Sequence, residues 1–157
     1  MENLSFDNGI IEVMINGDKN KTIAFCPSDI NISVRYKEAL KIFEELSEKV
    51  KNIFNDKSND NDKSNDTEAI FKQIEEYKKI DDTVKKTIDY IFNAEISNIA
   101  FGELSSLSKT SNGNYAFENL LNSLLGLCNK CYDNKVSHIK NGEKAQKYLS
   151  KYNRRRR

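Results

Sequence analysis

Three cysteines and a single histidine are the residues of this chain best suited to hold a metal. Cys128-x-x-Cys131 is followed by His138, and Cys26 lies far upstream. A tetrahedral zinc site wants four thiolate or imidazole ligands, which this set would just supply. However, Cys128 and Cys131 also continue the helical spacing of Phe117, Leu120, Leu121, Leu124 and Leu125. In such a stripe a free cysteine behaves as a small hydrophobe. With no second close pair of ligands, the cysteines are read as core and no metal is assigned.

Other chemistry has less to work with. Glu44, Glu45, Glu75, Glu76, Asp81 and Asp82 sit on Lys-rich segments and read as exposed helix charge. No Gly-rich loop follows a strand to cradle phosphate, and no nucleophile elbow is present. The expectation is a protein that is not an enzyme, with no catalytic residue and no cofactor. The segment "NDKSNDNDKSND" over 55–66 has calcium-loop-like Asp spacing, but lacks the turn Gly and terminal Glu that such a loop requires. It is read as a flexible linker.

The total charge of +1 conceals an asymmetry. From Lys135 onward nine Lys and Arg face Glu143 alone, giving +8 and leaving −7 on the residues before it. A basic tail over 135–157, ending in Arg154 to Arg157, can contact phosphate backbone. No recognised nucleic-acid-reading module accompanies it. No apolar run reaches the length of a membrane span, and the start "MENLSFDNGI" has neither basic nor apolar signal-peptide regions. A cytoplasmic protein with free thiols is expected, with no membrane partner.

The elements that must position these residues follow from periodicity. Ile10 to Ile15 and Thr22 to Cys26 are β-prone runs around Asn16-Gly17, and predict a hairpin over 9–26 with a connection longer than two residues. Pro27, Ser28 and Asp29 then stop the strand and cap a helix over about 30–55. Ile32, Tyr36, Ala39, Phe43, Leu46, Val50 and Ile53 form its heptad-like seam. A second helix, 67–92, carries Ile70, Ile74, Tyr77, Ile80, Val84, Ile88 and Ile91, and is expected to pair antiparallel with the first. A third, 115–132, is the most apolar. The predicted fold is mainly α: an N-terminal β-hairpin followed by an antiparallel helical bundle, one globular domain over 1–134.

Three stretches carry a resemblance. In "FCPSDINISVRYKEAL", an aromatic strand end, a Pro and an Asp precede a helix with an early Arg: Phe25, Pro27, Asp29 and Arg35. In "IDYIFNAEISNIAFGELSSLSKTSNGNYAFENLLNSLL", a helix ends in Phe101-Gly102-Glu103, a polar loop follows, and a Phe-led apolar helix closes the domain. The end reads "KYNRRRR". In order and spacing this layout resembles the tail assembly chaperones of long-tailed phages and prophages of Gram-positive bacteria. It departs in the linker repeat and in the Leu-Gly-Leu-Cys end of the last helix.

The resemblance implies a non-enzymatic chaperone in the host bacterial cytoplasm. Its partner would be the phage tape-measure protein, with the tail-tube protein and self-association as further expectations. Phe101-Gly102 would close a helix with a Gly at positive φ, and Ser105 to Asn114 would be a mobile loop. Phe101, Phe117, Leu120, Leu121 and Leu124 would form the partner-binding ridge. Tyr36, Phe43, Leu46 and Val50 offer a second surface. The alternative is a small phage or mobile-element protein that binds nucleic acid through its basic tail; a structural tail or head-completion protein is a further rival.

Overall fold

The computed structural model describes residues 1–55 and 67–134, so the expected linker and basic tail, with His138, lie outside the described residues. Strands β1 (Ile11–Ile15) and β2 (Asp18–Phe25) pair antiparallel. They are followed by helices α1 (Asn31–Asn55), α2 (Thr67–Phe92) and α3 (Ser97–Phe101), and by a further helix, α4, over 116–134. The helix-dominated α+β architecture is the one the periodicities predict. No helix among the described residues is long and apolar enough to cross a membrane.

The hairpin connection resolves into two devices. Asn16 (φ 52°) and Gly17 (φ 74°) make a two-residue turn with positive φ at both positions, whose twist suits a hairpin. The register then slips, Ile15 facing Asp18 and Met14 facing Thr22, so Lys19 to Lys21 bulge out. One face of the hairpin is apolar: Ile23 and Phe25 are buried, with Val13 and Ile15 packed against them.

Phe25, Pro27, Asp29 and Arg35 meet in one junction. Phe25 packs edge-on to Phe92 with ring centroids 5.5 Å apart. Asp29 accepts the backbone N–H of Asn31, fixing the entry into α1, and its other carboxylate oxygen pairs with Arg35 at 2.8 Å. Arg35 Nε also donates to the Ile91 carbonyl at 2.8 Å, tying the start of α1 to the end of α2. The guanidinium holds the Asp29 carboxyl below its ordinary range. At that end α2 stops on Asn93 (φ 49°), with Ala94 N–H returning to the Asp89 carbonyl and Asn93 N–H to that of Tyr90. This is a Schellman closure, with Asn in the place Gly usually takes.

The seam of α1 points inward throughout: Ile32, Ala39 and Leu46 are buried, and Tyr36, Phe43, Val50 and Ile53 pack against the same core. The stripe of α2 is covered only in its second half. Ile80, Val84, Ile88 and Ile91 are buried, whereas Ile70, Phe71 and Ile74 remain exposed.

Removing the Arg35 bridge should loosen the junction. Arg35→Ala is expected to cost about 1–3 kcal/mol, the range for losing a charge-assisted hydrogen bond and leaving its acceptor unmatched. Urea denaturation measures it, with a lowered midpoint and unchanged slope.

Candidate functional site

The helix that carries most of the expected docking ridge, α4, is positioned from α2 by two carboxylates. Asp89 accepts the N–H groups of Ile96 and Ser97 and the Ser97 hydroxyl at 2.8–2.9 Å, capping α3 from outside. Gly102 (φ 55°) then ends α3, its N–H bonding to the Asn98 carbonyl, as expected for the Phe101-Gly102 pair.

Further up α2, Asp81 does the larger share. Its Oδ1 accepts the Ser106 N–H at 2.7 Å, the Ser106 hydroxyl at 2.6 Å and the Ser105 hydroxyl at 3.1 Å. Its Oδ2 lies 3.1 Å from Lys85 Nζ, which also donates to the Leu104 carbonyl. Asp81 and Ser106 are both buried. Burial alone would push the Asp81 carboxyl up, but the hydrogen bonds from Ser106 and Lys85 outweigh it and the net displacement is downward.

The stretch Ser105 to Asn114 is therefore not the mobile loop expected. Beyond its anchor at Ser106, Thr110 N–H bonds the Asn114 carbonyl, Ala116 N–H that of Ser108, and Phe117 N–H that of Ser106. Lys109 Nζ sits 3.9 Å from the Tyr115 ring centre, and Asn119 reaches back to Thr110 and Asn112. Glu118 accepts the Tyr115 N–H at 2.8 Å, one half of a capping box that starts α4. Leu107, in the middle of this polar sequence, is buried.

The two expected binding surfaces meet at Phe117 and Leu121. Phe101, Leu121 and Leu124 are buried, Leu124 to 3% exposure, and Phe117 and Leu120 are packed against the same core. Leu46 is buried, and Tyr36, Phe43 and Val50 line a cleft of about 600 Å³ whose opposite wall is Phe117 and Leu121. Phe43 stacks on Phe117 with centroids 5.6 Å apart and planes 28° from parallel. Phe117 and Leu121 are thus partnered by the α1 seam, while Phe101, Leu120 and Leu124 line a second cleft against β1.

The first half of α2 is among the apolar surfaces left open. Ile70, Phe71 (60% exposed) and Ile74 occupy the first half of α2. Beside them a groove of about 460 Å³ is lined by Ile53, Ile70, Gln73, Ile74 and Tyr77, with Glu103 at its rim. Burial, and then neighbouring Tyr115, pushes the Tyr77 phenol up. The periodicity of α2 marked these residues as apolar, but not where its covering would end.

Of the metal reading, the structure brings Cys26 and Cys131 near enough to Cys128 to join burial in raising its thiol pKa. Cys26 Sγ is 3.4 Å from Ser28 Oγ. No cluster of three or more His, Cys, Asp or Glu side chains with metal-binding geometry occurs among the described residues. Of the carboxylates read as exposed, Asp81 is the buried exception. Its place four residues after Tyr77 and three before Val84, on the inward side of the stripe, was the available signal. Comparison with family models, characterised proteins and solved structures yields no match to this chain.

Two outcomes follow from this geometry. Leu124→Ala should cost about 2–5 kcal/mol, the range for emptying a buried leucine site, seen as a lowered denaturation midpoint. Asp81 carries a pH signature: because its folded pKa is depressed, its contribution is present above about pH 4 and lost as pH falls through the folded value. Between about pH 5 and pH 2.5 the wild-type chain should lose more stability than Asp81→Ala. Equal losses in urea titrations at the two pH values would deny Asp81 that role.

Proposed function

We propose that the chain is a non-enzymatic tail assembly chaperone, acting in the cytoplasm of a bacterial host and coating the phage tape-measure protein until tail-tube subunits assemble around it. The observation that carries this reading is the exposed apolar stripe Ile70, Phe71 and Ile74, continuous with the groove lined by Ile53 and Tyr77. A tape-measure protein is long, helical and striped with apolar residues. A helix stripe laid on a helix groove is a standard way to hide such a sequence.

The surroundings suit reversible binding. Lys72, Lys78 and Lys79 alternate with Glu68, Glu75 and Glu76 around the stripe, giving a polar rim of both signs. The apolar area is modest, which favours release when tube subunits compete. The resemblance carried by the Phe25–Arg35 junction and by the α3–α4 segment supports the same reading. Those residues act as scaffold here, placing the helices, while the docking surface falls on α2.

Co-expression with the tape-measure protein encoded in the same genetic element tests this. The two are expected to co-purify, with the long partner soluble only in the presence of this chain. Ile70→Glu with Ile74→Glu should weaken capture at least about tenfold, equivalent to about 1.4 kcal/mol, while leaving the thermal midpoint unchanged. No association, with the tape-measure protein equally insoluble either way, would overturn the reading. DNA binding that falls steeply with salt and disappears on deleting Arg154 to Arg157 would favour the nucleic-acid alternative.

A further inference from the structure

Residues 3–7 read Asn, Leu, Ser, Phe, Asp, a strict polar–apolar alternation that is the signature of a half-buried strand. Yet this arm belongs to no strand, and Leu4 (85%) and Phe6 (74%) are exposed. A turn at its base directs it off the body. Asp7 Oδ1 accepts the Gly9 N–H at 2.9 Å, Asn8 Oδ1 accepts that of Ile10 at 3.2 Å, and Gly9 takes φ 74°.

A place for such a strand exists on the same molecule. Among the described residues β1 pairs with β2 alone, so its outer edge carries main-chain donors and acceptors with no strand beside them. Glu12 is the only charge on β1, little protection for an open edge. Next to it, between β1 and α4, lies a cleft of about 450 Å³ lined by Val13, Ile15, Phe101, Leu120, Leu124 and Leu127.

We propose that the N-terminal arm of a second copy of this chain adds to the β1 edge and inserts Leu4 and Phe6 into this cleft, the exchange being reciprocal and the product a dimer. The alternation fits the site. Side chains two apart lie on one face of a strand, so Leu4 and Phe6 share a face, as Val13 and Ile15 do, and one pairing register turns both pairs toward the cleft with Asn3, Ser5 and Asp7 in solvent. Main-chain bonds along the edge supply affinity and the two apolar side chains supply register.

The area is sufficient. Covering one arm, in which Phe6 alone accounts for about 150–250 Å², and the surface that receives it, twice over, removes on the order of 1,500 Å². Specific interfaces typically bury about 1,200–2,000 Å². The arm's own body does not take it up, since the turn at 7–9 holds Leu4 and Phe6 out in solvent. This site is separate from the α2 stripe and does not rest on the proposed function.

Light scattering coupled to size exclusion, run on the full chain over a wide concentration range, tests the exchange. The expected mass is twice 18.1 kDa. Phe6→Glu, and independently Ser123→Arg at the exposed mouth of the cleft, should each weaken the dimer at least about tenfold. Neither should lower the thermal midpoint of the monomer. A monomer at every concentration overturns the proposal, as does a dimer indifferent to Phe6→Glu. Dissociation by Phe6→Glu but not by Ser123→Arg removes the arm from this cleft. A monomer whose melting falls on Phe6→Glu assigns the cleft to the chain's own arm and equally overturns it.

Discussion

A single buried carboxylate sets the geometry of the C-terminal half. Asp81 collects three hydrogen bonds on one oxygen, all from Ser105 and Ser106, and on the other the Lys85 ammonium, which itself donates to the Leu104 carbonyl. A charge out of water is tolerated when it is so satisfied, and is costly when it is not. The polar segment after α3 is thereby held against α2. Ser106 in turn supplies the carbonyl that receives the Phe117 N–H, so the anchor passes directly into the first turn of α4.

The consequence is an apolar helix packed on its own protein's core. Once α4 starts where Ser106 places it, Phe117 meets Phe43, Leu121 joins the core between α1 and α2, and Leu124 is buried on the hairpin side. Among the described residues the fully buried part of the α2 stripe begins at Ile80, with Tyr77 partly buried before it. Ile70, Phe71 and Ile74, in the first half of that helix, stay exposed, and the proposed docking surface lies there rather than on α4. Burial and exposure, rather than hydropathy alone, separate the two roles.

Helical periodicity made α1 and α2 legible, down to the end of α2 at Phe92, because their stripes are long and regular. The place of the Asn16-Gly17 turn was readable for its pair of residues able to take positive φ, but its length of two residues was not. The bulge after it was not, since Lys19 to Lys21 have no apolar pattern to reveal register. The order of Ser105 to Asn114 was also hidden. Its composition is that of a solvated loop, and its stability comes from a carboxylate 25 residues away together with short-range Asn and Thr contacts. Asp89 escaped notice for the same reason: a helix cap supplied from another helix leaves no local motif. The ridge residues were correctly seen as apolar, but Phe117 and Leu121 are met by the α1 seam, and sequence spacing on separate helices does not report that meeting.

Amide hydrogen exchange at Ser106 reports most directly on the anchor. If Asp81 pins this segment, the Ser106 amide exchanges on the timescale of the core amides of α2, and Asp81→Ala returns it, with the Phe117 amide, to much faster exchange. Exchange of Ser106 at the rate of an unstructured peptide in the unmodified chain would contradict a fold built on that carboxylate, and would return the ridge of α4 to the surface as a free docking face.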